Sequence, residues 1–172
     1  MAAESVPDEP AQRRRRRQES SCPELWRLLD AVRDPEIPVI SIWDLGVLRD
    51  VRLEGDTVTV VITPTYSGCP AMREIETDIR EKLSAATRYE VRVQTELAPA
   101  WSTDHMTEAG RRALQEYGIA PPQPAGAPDR PVACPRCGSE ATHMISRFGS
   151  TACKALYQCD DCREPFDHFK CH

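Results

Sequence analysis

Two C-x-x-C pairs, Cys134/Cys137 and Cys159/Cys162, stand with 21 residues between them. Each short loop aims two sulfurs at one point, so the pairs together can surround one tetrahedral ion with four thiolates. The stretch that carries them, about 40 residues, is too small to bury a sufficient apolar core, and a metal supplies the missing free energy. Zinc is the default for a closed four-cysteine site, with iron in a rubredoxin-like site as the alternative. Gly138, after the first pair, permits the bend that turns backbone amides toward the sulfurs. "ALYQC" and "EPFDHF" supply aromatic rings to pack around the ion. Cys153 and Cys171 are left over, with His143, His168 and His172. The two cysteines are candidates for an additional metal site or for thiol exchange, and small buried residues are the alternative. The histidines read as structural.

The 172-residue chain has a net charge of −5. Without the run Arg13 to Arg17 the balance is −5 − 5 = −10, so the folded part is acidic. That argues against a nucleic-acid binder. No apolar run approaches the length of a membrane span, and the charged first residues have no hydrophobic segment after them. A soluble cytoplasmic protein is expected. In that compartment eight cysteines are thiols or metal ligands before they are disulfides. Residues 1–20 are polar and low in complexity, and composition predicts a solvated, disordered tail.

Order is expected from residue 21. "SSCPELWRLLDAVRDP" has Leu25, Leu28, Leu29 and Val32 at helical spacing, Ser20 or Ser21 as a cap, and Asp34-Pro35 as a stop. Val47, Val51 and Leu53, then "EGD", then Val58, Val60 and Ile62 describe a β-hairpin. Met72, Ile75, Ile79 and Leu83 mark one face of a second helix. "YEVRVQTEL" is a third strand, and "TEAGRRALQEYGI" a short helix with Thr107 as cap and Gly118 as stop. The fold class is therefore α+β. A small three-stranded mixed sheet packs against helices in the order α-β-β-α-β-α and is followed by a four-cysteine zinc-ribbon-like module. The expected domains are the tail (1–20), the sheet domain (21–119), a stiff proline-rich linker (120–132) and the ribbon (133–172).

Cys69 stands alone in "TPTYSGCPAM", between a strand and a helix. Pro70 suits a first helical position, so the sulfur is expected near backbone N–H groups and the positive end of the helix dipole. Both favour the thiolate, and a lowered pKa is expected. No histidine lies near in sequence to act as a base, so a Cys–His hydrolase is poorly supported. A reactive thiol or transient metal ligand competes evenly with a buried structural cysteine on position alone.

Asp34-Pro35-Glu36, Asp44-Leu45-Gly46, and Thr63 through Cys69-Pro70 together resemble the domain of the SufT-like iron–sulfur assembly factors. With "FGSTACKALYQCDDCREPFDHFKCH" added, the chain from about residue 23 onward resembles the PaaD (PaaJ) family, encoded with the phenylacetyl-CoA epoxidase components. The resemblance implies that Cys69 is the reactive or cluster-handling thiol, with Asp34, Glu36 and Asp44 shaping its pocket. It implies an accessory or maturation factor that delivers iron or an iron–sulfur cluster to an epoxidase component, foremost the [2Fe–2S] reductase and next the di-iron oxygenase. Iron–sulfur assembly proteins are implied partners, and the oligomeric state is open between monomer and homodimer. Catalysis by this chain alone is not expected. It has no nucleotide-binding glycine fingerprint and no E-x-x-H pair for a di-iron bundle. The competing reading is a structural or electron-carrying subunit with iron in the four-cysteine site.

Overall fold

The computed structural model describes residues 9–128 and 130–170. In chain order the elements are α1 (Glu9–Gln18), α2 (Pro23–Leu29), β1 (Leu48–Glu54), β2 (Thr57–Ile62), α3 (Ala71–Ala86), β3 (Glu90–Thr95), a 3-10 turn (Thr103–His105), α4 (Glu108–Tyr117), β4 (Ile119–Ala120), β5 (Thr142–Ser146), β6 (Lys154–Cys159) and β7 (Pro165–Phe169). From α2 to α4 the order is the expected α-β-β-α-β-α.

The first sheet runs β1-β2-β3. The hairpin pairs β1 and β2 antiparallel, with Val51 opposite Val60. Helix α3 then crosses over and returns the chain as β3, parallel to β2, with Val60 opposite Val93. Ile75, Ile79 and Leu83 of α3 are buried with Leu25, Trp26 and Leu29 of α2 and with Leu48, Val51, Val58, Val60 and Ile62 of the sheet. Each such side chain contributes about 1.5–3 kcal/mol when fully removed from water. Thr107 caps α4 by accepting the Gly110 N–H, and Gly118 ends it in the left-handed region at φ +94°. The cap of α2 is Cys22 rather than Ser20 or Ser21.

The N-terminal arginines depart from expectation. Residues 1–8 of the expected tail lie outside the described residues, but residues 9–18 form a helix docked on the body. Arg13 is buried, and its guanidinium donates to the backbone carbonyls of Trp43 (2.9 Å), Leu48 (3.0 Å) and His105 (2.7 Å). It lies 3.8 Å over the Trp43 ring. Arg17 holds Asp30 through two bonds of 2.8 and 2.6 Å. Glu9 joins Arg16 and Arg49. Composition treats an arginine as solvated, but its long apolar stem and five donors also suit a pocket lined by unpaired carbonyls.

Gly46 follows Asp44-Leu45 at φ +88°, and a Cβ there would stand 2.5 Å from the Cβ of His105. Gly46→Ala is expected to cost about 2–4 kcal/mol, combining backbone strain and overlap, read as a lowered melting midpoint at unchanged far-UV circular dichroism.

The second sheet runs β4-β7-β6-β5. Its first strand precedes the prolines: Ile119 and Ala120 pair in parallel with Asp167 and His168 of β7. Ala120, the expected start of the linker, is thus already hydrogen-bonded into the ribbon. Phe169 and Cys153 belong to the main core, where Phe169 meets Trp101 edge-on at 6.0 Å.

Candidate metal centre and thiol–carboxylate site

The ribbon brings Cys134, Cys137, Cys159 and Cys162 together. Their sulfurs all lie within 4.8 Å of one another. Two of the separations are 3.8 Å (Cys134–Cys162) and 3.6 Å (Cys137–Cys159). Four sulfurs at about 2.3 Å from a central ion sit about 3.8 Å apart, so the set fits a tetrahedral thiolate-bound metal. The backbone N–H groups of Ser139, Cys162 and Glu164 face the sulfurs of Cys137, Cys159 and Cys162, which orients them and offsets thiolate charge. Phe166, stacked on Tyr157 with ring centres 5.9 Å apart, packs with Cys134 and Cys159. His143 pairs with Asp160 at 2.9 Å, and the half-buried His168 lies edge-on to the Tyr157 ring, so neither joins the quartet. No disulfide forms among the seven described cysteines. Cys171 and His172 lie outside the described residues.

Cys69 sits in the turn between β2 and α3. Its N–H donates to the Tyr66 carbonyl at 3.2 Å, Gly68 takes φ +80°, and the helix begins at Ala71 with Pro70 as its cap. The sulfur is half-buried and receives the Ala71 N–H and the Thr65 hydroxyl. The expected helix-end stabilisation is therefore present, but the expected sign of the shift is reversed. Burial pushes the Cys69 thiol up, and Glu36 and Asp34 add to the rise, outweighing those two hydrogen bonds.

The carboxylates divide between two places. Asp34 is buried at the end of the α2 segment and accepts the N–H groups of Glu36 (2.8 Å) and Ile37 (2.9 Å). Burial raises its pKa. The charges of Asp34 and Glu36 both act on Cys69. Asp44 serves elsewhere. Its carboxylate accepts the hydroxyls of Ser41 (2.7 Å) and Thr107 (2.5 Å), tying its turn to the start of α4, and its charge acts on Arg13. Both of its oxygens are thus engaged in bracing that turn.

Cys153 comes to the same neighbourhood from the ribbon. Its sulfur lies 3.7 Å from Glu36 Oε2 and 3.0 Å from the Thr151 hydroxyl. Burial, reinforced by Glu36, holds its thiol up at about 11. Tyr66, absent from the expected site, shares a hydrogen bond with Cys69. Burial and the charges of Cys69, Glu36 and Cys153 push its phenol up to about 12. The buried Lys154 adds one positive charge near Asp34 and Cys153. Tyr66 lies inside "TPTYSGC", where the sequence offers it to notice; Thr151 and Lys154 flank Cys153 but carry no signal toward residue 36.

Residues 24–94 match the family profile described as iron-sulfur cluster assembly protein, and residues 119–170 match the PaaD zinc beta ribbon domain. An Escherichia coli protein described as a subunit of a "Putative 1,2-phenylacetyl-CoA epoxidase" is 52% identical over 152 residues, spanning 86% of this chain and 92% of that one. The chain belongs to the PaaD family. Its sheet domain alone is similar to a Porphyromonas gingivalis "Fe-S protein maturation auxiliary factor", 37% identical over 95 residues and covering 87% of that protein. It also resembles a crystal structure of a DUF59 domain from Bacillus anthracis at TM-score 0.50 and 27% identity, covering 60% of this chain and 95% of that one. The PaaD ribbon match begins at Ile119, the first residue of β4. No helix among the described residues is long and apolar enough to cross a membrane.

Proposed function

We propose that this chain is an accessory maturation factor of a phenylacetyl-CoA epoxidase system, handling iron or an iron–sulfur cluster through Cys69. The observation that carries the reading is the sulfur at the start of α3, half-exposed beside two carboxylates. A pocket lined by Glu36 and Asp34 disfavours a bare thiolate and favours a cation that brings its own charge, so the group reads as a ligand before it reads as a free nucleophile. The kinship to an epoxidase subunit and to an iron–sulfur maturation factor supports the same direction. The recipient is an epoxidase component, foremost its iron–sulfur reductase, and iron–sulfur assembly proteins supply the cargo in the cytoplasm. The four-cysteine ribbon holds a structural ion, with zinc the ion best suited to four thiolates. This chain does not itself turn over phenylacetyl-CoA.

Cys69→Ala tests it. The side chain is small and half-exposed, so the melting midpoint should stay within about 2 °C of the parent. In a strain lacking this protein, the variant should leave epoxidase activity at least about 10-fold below that restored by the parent, roughly 1.4 kcal/mol in effective terms. Full restoration would end the reading.

A further inference from the structure

Composition makes the proline segment a stiff spacer, yet its path encloses a space. It leaves the ribbon at β4 and comes back to it at Val132, whose carbonyl accepts the Thr142 hydroxyl of β5 at 2.6 Å. Between the segment and the ribbon's sheet lies a cavity of about 630 Å³. Clefts that take small molecules run from about 300 to 1,000 Å³.

The floor is sulfur and aromatic rings. Met144 of β5 stands opposite Tyr157 of β6, and His168 of β7 lies edge-on to the Tyr157 ring at 5.4 Å; all three line the cavity. Burial holds the His168 imidazole down at about 4, so the ring is an uncharged wall at neutral pH. The roof is Ala125, Gly126 and Ala127, whose side chains are too small to fill the space below. It is braced on both sides. Gln123 donates to the Arg130 carbonyl at 2.7 Å, the Ala125 N–H donates to Asp104 at 3.0 Å, and the Thr103 hydroxyl donates to the Gln123 carbonyl at 2.9 Å.

The charge of the lining is selective. The chain has 27 acidic residues against 22 basic ones, but no carboxylate lines this cavity among the described residues. Arg130 lines it and is always charged, whereas His143, the other ionisable neighbour besides His168 and Tyr157, is paired with Asp160 at 2.9 Å. A flat apolar body suits the Tyr157 and Met144 floor, through ring stacking and sulfur–ring contact. A negative end suits Arg130.

We propose that this cavity binds a small aromatic carboxylate, with its ring over Tyr157 and Met144 and its carboxylate toward Arg130. The proline segment is then the roof of a ligand site, and the ribbon has a binding task besides holding its ion. The inference is independent of the reading of Cys69.

The test is titration of the metal-loaded full chain with phenylacetate, phenylacetamide and acetate, followed by calorimetry and by amide NMR shifts. Phenylacetate should bind saturably with Kd of about 1 mM or tighter, and shift the amides of residues 125–127 and 142–144. Phenylacetamide should bind at least about 5-fold more weakly, and acetate should not saturate. Arg130→Gln should abolish the preference for the acid over the amide. Met144→Glu, which puts a carboxylate on the floor, should weaken phenylacetate at least about 10-fold. Both positions are exposed, so metal content and melting midpoint should match the parent. Cys69→Ala should bind like the parent, which keeps this result separate from the cargo reading. No saturable binding by the parent, or shifts confined to other residues, would overturn the proposal. So would unchanged affinity in both cavity variants, equal binding of acid and amide by the parent, or saturation by acetate.

Discussion

Cys159→Ser is expected to release the ribbon's ion and unfold residues 133–170 while leaving α3 and the first sheet in place. The argument is one of size. The ribbon's own cluster of buried residues is Ala120, Cys134, Cys159 and Phe166, and two of those four are metal ligands. A thiolate-bound structural ion contributes on the order of 10 kcal/mol to folding, far above what such a core supplies. Hydrogen exchange should show protection lost across β5, β6 and β7 and kept in α3 and β2. The melting midpoint of the sheet domain should also fall, because Phe169 and Cys153 are part of its core. A strong chelator should reproduce the pattern in the parent. Unchanged metal content with an unchanged melting curve would contradict the assignment of the quartet.

Arg13→Ala is expected to destabilise the sheet domain by about 2–4 kcal/mol, against less than about 0.5 kcal/mol for Arg14→Ala, which is exposed. The loss does not come from charge alone. Truncation leaves the carbonyls of Trp43, Leu48 and His105 without the donor that reaches all three. It also uncovers a face of the Trp43 ring. Burial and the neighbouring Arg49 already hold the Arg13 guanidinium down at about 9, so the site is demanding for any cation. Arg13→Lys should therefore recover less than half of the loss, since an ammonium has three donors and no planar fork. Removing the chain through Gln18 should cost at least as much, with the melting midpoint down by roughly 6–12 °C for about 3 kcal/mol in a chain of this length. A neutral deletion would show that α1 is not docked in solution.

What the sequence discloses is whatever a short window can encode. The α3 stripe of Ile75, Ile79 and Leu83, the turn at Gly55, the Thr107 cap with the Gly118 stop, and the paired C-x-x-C loops all depend on neighbours within a few residues. The parallel return of β3 follows from the same local evidence, through the helix placed between two strands. What stays hidden is long-range. The carbonyls that capture Arg13 lie 30, 35 and 92 positions away. The hydroxyl that claims Asp44 lies 63 positions on, at Thr107. The sign of the Cys69 shift is hidden for the same reason. The helix start is local to Cys69, whereas burial and the carboxylates of the 34–36 segment are supplied by the fold. Cys153 stands out in the sequence as unassigned, but nothing within reach of it points to Glu36.

The parallel pairing of β4 with β7 fixes where the proline segment starts and ends. A tether that swings a carrier between stations needs its two ends on separate bodies, and here the proline segment leaves from a strand of the ribbon's own sheet and returns to the same ribbon. It is a closed excursion and not a swinging arm. The segment therefore adds no reach between the sheet domain and the ribbon, which are already joined through β4 and Phe169.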